Sequence, residues 1–358
     1  MRRGRGPRVH QLLSGAGPYD AITNQALAWR RLLAEWGWAG DVFAAHRDPA
    51  VGPAVRDAAG MAGRLDAGDV LVIHYSAHAP ELEDALELPQ RKLLVYHNIT
   101  PAHYLWDHEP YVALICALGR ERLSAFAGRV DAALAPSEFS ARDLRAAGFD
   151  PVGVDPALYL LDRDRLQELA APAPGADGAG PTLLFVGRLS HNKRQDRVVK
   201  AFALYQRHRE PGARLVLVGS PGSGTYGEYL EHVVAETGAR DVVLAGALPQ
   251  PQLNSLYASA AAFVCLSEHE GFCLPVLEAL HFGLPVVAAR AAAVPEVAGD
   301  AALLLDAPDL ATVAEAVDLA VHDGALRAEL GRRAQRRLLE FTPQRTAGAV
   351  RAAVEPLL

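Results

Sequence analysis

The residues with the clearest chemical potential are two carboxylates eight positions apart, Glu270 and Glu278, in residues 267–283 (SEHEGFCLPVLEALHFG). The apolar run before them, residues 260–266, reads as a buried strand, and Pro275 suits the first turn of a following helix. Glu270 is therefore expected in a strand-to-helix loop and Glu278 on the first turns of the helix. At such a helix start the backbone N–H groups, here those of Gly271, Phe272, Cys273 and Leu274, form a partial positive pole that attracts phosphate or a sugar oxygen. Carboxylates repel phosphate, so the two glutamates suit hydroxyl groups, one on a sugar and one on a ribose. A ligand with all these parts is a nucleotide sugar. The alternative is a plain strand–helix joint carrying two solvated glutamates.

A second set of charges precedes this stretch. Residues 182–186 (TLLFV) read as a strand, followed by Gly187, Arg188 and, ahead of a helix, Lys193. Glycine lets the chain turn at the strand end, and two cations on one loop would neutralise a diphosphate; two solvated basic residues are the alternative. In the first half, polar residues stand at strand ends: Gly15 and Gly17 after residues 9–13, His74 closing 69–74 (DVLVIH), and His97 closing 92–97 (KLLVYH). Their convergence on one sheet edge favours a site role for His97 and leaves His74 open between a site and a hydrogen-bonded loop residue. Gly15 and Gly17 also suggest a dinucleotide fingerprint, but its third glycine would fall on Asp20, whose charge would face the pyrophosphate. The second strand also ends in Ala44, Ala45 and His46 rather than a ribose-binding acid. A glycine loop that lets a ligand approach the backbone, or an ordinary tight turn, remains.

The elements that must position these groups alternate between strand and helix. In the first half, strands are expected at 9–13, 41–45, 69–74, 92–97 and 131–135, with helices at 20–36, 111–126 and 137–147. After a Pro/Gly/Ala-rich linker at 170–181, strands are expected at 182–186, 214–218, 241–244, 260–266 and 285–289, and a terminal helix at 343–358. Such alternation argues for α/β architecture with two doubly wound parallel sheets, whose ligands bind outside the carboxyl ends of the strands. With 358 residues, half of them hydrophobic, the chain is long for one core and suits two domains. Its net charge of −7 argues against a general nucleic-acid binder. Cys116, Cys265 and Cys273 lack the spacing of a zinc site or redox motif, which suits a reducing compartment. The basic opening MRRGRGPR is followed by too short an apolar run for a signal peptide, and no run is long enough to span a bilayer. A cytoplasmic protein with at most peripheral contact at the inner membrane face is expected.

Taken together, Gly187-Arg188 with Lys193, EGFCLPVLEAL, and then Gly283-Leu284-Pro285-Val286 resemble the retaining glycosyltransferases of family 4, which have the GT-B fold of two Rossmann-like domains facing across a cleft. The resemblance covers the whole second domain. It implies domains at 1–170 (acceptor side) and 182–342 (nucleotide-sugar side), joined by the linker, with residues 343–358 a candidate to cross back. It also implies that Arg188 and Lys193 hold the donor diphosphate, that Glu278 holds the ribose, and that Glu270 with the loop N–H groups holds the transferred sugar. His97 matches the strand-end histidine that contacts the donor sugar near its reactive carbon, and Gly17 would lie at the donor. The segment YHNITP (residues 96–101) is similar to a bacterial subgroup associated with polysaccharide or glycan assembly. Cys273 stands where the family usually has glycine, tightening the sugar pocket, and SGAGPYDA lacks the usual paired glycines. The implied activity moves a hexose-type sugar from a UDP- or GDP-linked donor to a hydroxyl of a glycan, lipid or small molecule, with retention of configuration. GT-B enzymes generally use no metal, and no Asp-x-Asp pair stands where one would be needed, so neither metal nor cofactor is expected. Two alternatives of the same fold are a noncatalytic nucleotide-sugar-binding subunit, disfavoured by intact Glu270 and His97, and a nucleotide-sugar epimerase, disfavoured by the glutamate spacing.

Overall fold

The computed structural model describes residues 6–156, 165–169, 180–221 and 224–358. The chain divides into two compact units. Unit 1 comprises Met1–Ala102, Tyr111–Leu160 and Phe341–Leu358, and unit 2 comprises His103–Pro110 and Leu161–Glu340. Of the expected linker, residues 170–179 lie outside the described residues, as do residues 1–5 of the basic opening.

Unit 1 carries seven parallel strands: β1 (Val9–Ala16), β2 (Val42–Arg47), β3 (Arg56–Asp57), β4 (Val70–Tyr75), β5 (Arg91–Tyr96), β6 (Ala132–Ala135) and β7 (Gly153–Val154). Their spatial order is β3-β2-β1-β4-β5-β6-β7. Interior parallel strands are covered on both faces, so they read as continuous apolar runs, and all six residues of β4 (VLVIHY) are buried. β1 continues to Ala16, past the expected end at Leu13, because Gly15 and Ala16 pair with His46 and Arg47 of β2. Gly15 is thus a strand residue, and Gly17 alone follows β1. The helices are α1 (Ala21–Glu35), α2 (Pro80–Asp84), α3 (Pro110–Arg122) and α4 (Glu138–Ala146). Asp20 and Ser137 cap α1 and α4 by accepting from the backbone N–H of Thr23 and Ser140. The apolar stretch expected as one helix to residue 126 tightens after Arg122 into a 3-10 turn.

Unit 2 repeats the plan with six parallel strands: β8 (Thr182–Val186), β9 (Arg214–Val218), β10 (Val242–Gly246), β11 (Ala262–Cys265), β12 (Val286–Ala289) and β13 (Leu303–Leu305). Their order is β10-β9-β8-β11-β12-β13. The intervening helices are α5 (Gln195–His208), α6 (Tyr226–Thr237), α7 (Gln250–Ser259), α8 (Leu274–His281), α9 (Val294–Ala298), α10 (Leu310–His322) and α11 (Gly324–Arg337). Val199 and Phe202 of α5 and Val313 and Val317 of α10 share a core with Leu183, Leu215, Val264 and Val287 of the strands. The chain then enters α12 (Pro343–Val354), whose Val350 and Val354 lie in the unit 1 core with Val9, Trp29, Leu33 and Val70. Among the described residues no helix is long and apolar enough to cross a membrane.

In both sheets the strand order reverses direction beside the first strand of the unit, between β1 and β4 and between β8 and β11. Such switch points leave a crevice at the carboxyl ends of the strands. Arg188 and Lys193 lie on the loop that leaves β8 and Glu270 on the loop that leaves β11, with Glu278 on α8. One glycine makes the first of these loops possible: a Cβ on Gly219, which follows β9, would sit 1.9 Å from the carbonyl oxygen of Gly187. Backbone atoms cannot yield by rotating a side chain, so Gly219→Ala should destabilise unit 2 by about 2 kcal/mol or more, as overpacked cores do. Chemical denaturation followed by tryptophan fluorescence and circular dichroism would measure this, and an unchanged midpoint would show that the β8 loop can move aside.

Candidate active site

The loop leaving β8 holds its cations against carboxylates. Arg188 Nη2 donates to Glu109 Oε2 at 3.1 Å, and Ser190 Oγ donates to the same oxygen at 3.4 Å. The Glu109 side chain is only 2% exposed, while Arg188 is 43% exposed. Glu109 belongs to the segment His103–Pro110 that groups with unit 2. Its close seat depends on Gly224, where a Cβ would lie 2.4 Å from the carbonyl oxygen of His108 and 2.5 Å from Glu109 Cγ. The other Glu109 oxygen, Oε1, is buried and has no hydrogen-bond partner among the described residues. Nothing in the sequence singles out Glu109, an acid 79 positions before its arginine.

Lys193 sits on a 3-10 turn, His191–Lys193, and its Nζ donates to both oxygens of Glu270, at 2.7 and 2.6 Å. Burial opposes the ammonium charge, but the Glu270 carboxylate outweighs it, and the lysine pKa is raised. The two loops are stitched together around this pair. Asn192 Nδ2 donates to the His269 carbonyl at 3.0 Å, the Glu268 N–H donates to the Asn192 carbonyl at 2.8 Å, and Arg194 pairs with Glu268 and Asp196. The Ala293 N–H adds a 3.2 Å bond to the Glu270 carbonyl. Lys193 and Glu270, read from the sequence as contacts to different parts of a ligand, are thus direct partners here.

α8 begins after Cys273, with Pro275 in its first turn. Cys273 is in the left-handed region (φ 81°, ψ 61°), a conformation that glycine adopts freely and that costs an L-residue about 1 kcal/mol. Its sulfur is 3.9 Å from that of Cys265, and Phe272 beside it is buried. Glu278 lies one turn further on, where its Oε2 accepts from the Tyr257 hydroxyl at 3.0 Å, and the Tyr257 ring stacks on Phe282. Desolvation pushes the Glu278 pKa up to about 7, against the lowering effect of the Tyr257 hydrogen bond. Leu274 and Gly271 are partly exposed at the start of this turn.

In unit 1 the strand-end histidines form a relay. Gln11 Nε2 donates to the Ala26 carbonyl at 2.9 Å, which turns Gln11 Oε1 toward His74 Nε2, also at 2.9 Å. His74 Nε2 therefore carries the proton and Nδ1 the lone pair, which accepts from His97 Nε2 at 2.9 Å. In that tautomer His97 Nδ1 carries the lone pair. Burial lowers the His74 pKa to about 3, and burial together with His74 lowers that of His97 well below the usual imidazole value, so both rings are neutral. The segment after His97 is anchored as well: Tyr96 Oη accepts from the Ile99 N–H at 3.2 Å, and Arg120 donates to the Ile99 carbonyl at 2.9 Å. Gly17 donates its N–H to Thr23 Oγ1, and a Cβ there would meet only Asp20 Cβ at 3.9 Å, so packing alone does not require glycine.

Among the described residues one group has metal-ligand spacing, Cys265, Glu270 and Cys273, with ligand atoms within 4.8 Å of one another. The Lys193 ammonium already holds both oxygens of its carboxylate, so a cation would have to displace it.

The Glu278 shift has a thermodynamic consequence. Its folded pKa lies above the ordinary carboxylate value, so the stabilisation tied to its proton is complete below that value and is lost as the pH rises through about 7. Glutamine imitates the protonated acid without titrating. The melting temperature of Glu278→Gln should gain on that of the parent chain between pH 5.5 and 8 in differential scanning calorimetry, whereas a constant difference would place the Glu278 pKa outside that window.

Comparison with known proteins bears on this arrangement. Residues 167–337, nearly half of the chain, match the family model of glycosyl transferases group 1. A sulfoquinovosyl transferase of Arabidopsis thaliana is 28% identical over 261 residues, covering 68% of this chain and 47% of that protein. O-antigen chain mannosyltransferase B of Escherichia coli is 33% identical over 146 residues, covering 40% of this chain and 38% of that protein. The chain thus spans about half or less of the length of these curated relatives. A crystal structure of Anabaena HepE in complex with UDP and glucose superposes with a TM-score of 0.72 at 17% identity, covering 98% of this chain and 100% of that one. The segment that holds Arg188, Lys193, Glu270 and Glu278 therefore carries the glycosyl transferases group 1 pattern, on a chain whose two Rossmann-like parallel-sheet units are those of the GT-B fold class.

Proposed function

We propose that the chain is a retaining glycosyltransferase of the family 4 type, moving a hexose-type sugar from a UDP- or GDP-linked donor to a hydroxyl of a glycan, lipid or small molecule without a metal ion. The observation that carries this reading is the Lys193–Glu270 pair, which joins the β8 loop that also bears Arg188 to the loop after β11, inside the segment that matches the family. Relatives named for transferring mannose and sulfoquinovose, and a structural neighbour holding UDP and glucose, support it. We place the protein in the cytoplasm, with at most peripheral contact with the inner membrane face, and relate YHNITP to bacterial glycan assembly.

In this reading the bond between the anomeric carbon and the diphosphate oxygen breaks with its electron pair moving to the phosphate. The acceptor hydroxyl forms its bond to the same face of that carbon, and its proton passes to the departing phosphate oxygen. Negative charge grows on the diphosphate, where Arg188 and Lys193 are its counter-ions, and positive charge grows on the sugar. Glu270 keeps Lys193 charged, and Glu109 and Glu270 hold the two cations in place before the donor arrives. Glu270 and the N–H groups from Gly271 to Leu274 receive the sugar, Glu278 the ribose, and Gly17 lets its backbone approach the donor. His97 is assigned to the sugar near its reactive carbon, and a neutral imidazole suits that position by adding no charge.

The two glutamates are expected to fail differently. Glu278→Ala removes a contact to a part of the donor that does not change, so the donor KM should rise about tenfold with kcat nearly unchanged. Glu270→Gln should lower kcat by about 100-fold or more while the nucleoside diphosphate stays bound within about threefold. Equal weakening of nucleoside diphosphate by both, or unchanged turnover in both, would make the pair structural. Turnover is also expected to survive EDTA and to gain little from Mg²⁺ or Mn²⁺; a loss restored by either ion would overturn the metal-free reading.

A further inference from the structure

Two of the three cysteines meet at the two ends of the loop that carries Glu270. Cys265 ends β11 and Cys273 precedes α8, their sulfurs are 3.9 Å apart, and the residues are 2% and 5% exposed. They bracket the loop that carries Ser267, His269 and Glu270. The sulfurs are in van der Waals contact, and closing to a bond of about 2.05 Å requires a movement of about 2 Å, which a loop end can supply. The left-handed backbone at Cys273 costs least with glycine, yet the side chain that bears this cost is the one that reaches Cys265. Neither thiol has a part in the proposed transfer chemistry.

We propose that Cys265 and Cys273 are a modification site, closing to an intrachain disulfide under hydrogen peroxide and thereby switching off the loop that carries Glu270. In the first step the Cys265 thiolate attacks one peroxide oxygen. The O–O bond breaks, giving the sulfenic acid of Cys265 and hydroxide, which takes up the thiol proton to leave as water. The Cys273 sulfur then displaces the sulfenic hydroxyl: the S–S bond forms, the S–O bond breaks, and the hydroxyl leaves as water with the proton from Cys273. Two thiols lose two electrons and one peroxide becomes two waters. The contact between the two sulfurs holds Cys265 below the usual thiol range, while Cys273 is pushed up by the same contact and by burial. The effect on activity rests on the donor-binding reading: drawing the sulfurs together shifts the N-terminus of α8, and a displacement of about 1 Å near reacting atoms can cost about 100-fold.

The test treats the intact chain with hydrogen peroxide, blocks remaining thiols with iodoacetamide and digests with trypsin. No lysine or arginine lies between Arg240 and Arg290, so both cysteines fall on one peptide, and Cys116 falls on another. The peptide of residues 241–290 should lose two hydrogens and take up no iodoacetamide, with Cys116 alkylated as before. Donor turnover should fall at least tenfold and return with dithiothreitol. Cys265→Ser should keep its turnover and no longer respond to peroxide, and Cys265→Ala serves the same purpose if the serine variant does not fold. Two alkyl groups on the peptide after peroxide, or added oxygen in place of lost hydrogen, would overturn the site. A disulfide with unchanged turnover would overturn its switching role. The mass readout needs no activity, so a failed donor assignment and a failed disulfide remain distinguishable.

Discussion

A lysine ammonium clasped by both oxygens of a buried glutamate is the interaction on which the second unit's site depends. Neither group is stable there alone: an unpaired buried charge costs several kcal/mol, and the usual relief is loss of the charge. Pairing keeps Lys193 protonated and fixes the Glu270 carboxylate against the turn that follows β8. The bonds from Asn192 to His269 and from Glu268 to Asn192 bind one loop to the other, so the spacing of the pair is set by backbone as well as by side chains. Arg188 is paired as well, through a single oxygen of Glu109. Both cations meet carboxylates within the protein, and an arriving diphosphate would replace or share those partners rather than meet bare charges.

The two units use one sheet plan for different electrostatics. Both place polar side chains near the point where strand order reverses, as open α/β sheets do. Unit 2 fills that point with paired full charges. Unit 1 fills it with a neutral chain from Gln11 through His74 to His97, held by burial and by a hydrogen bond to the Ala26 carbonyl. A neutral relay fixes an imidazole's tautomer without adding a charge.

Much of this plan was legible in the residues. Thr182–Val186 and Arg214–Val218 have the expected bounds because a strand buried on both faces leaves an uninterrupted apolar run. Asp20 caps α1, where either Asp20 or Thr23 would serve, and Ser137 caps α4. Strands made by pairing rather than by composition were not legible: β3 is Arg-Asp and β7 is Gly-Val, and β1 is extended by its neighbour through Gly15. Within the site, Glu270, Lys193 and Arg188 stood out by spacing, but their partners did not. The Glu109–Arg188 and Lys193–Glu270 contacts join residues 79 and 77 positions apart, and nothing local marks them. The contact between Cys265 and Cys273 and the raised pKa of Glu278 likewise exist only once β11, α7 and α8 are packed.

The central claim is that Arg188 and Lys193 are counter-ions for a diphosphate, and the thermal transition of the intact chain tests it most directly. A ligand at about a hundredfold excess over its Kd adds about 2.7 kcal/mol to the stability of the state that binds it. Melting would be followed with UDP, GDP and ADP at matched ionic strength, for the parent chain and for Arg188→Ala. A raised transition with UDP or GDP that is lost in the variant is the expected result. No rise with any of the three, or an equal rise in both proteins, would contradict the assignment.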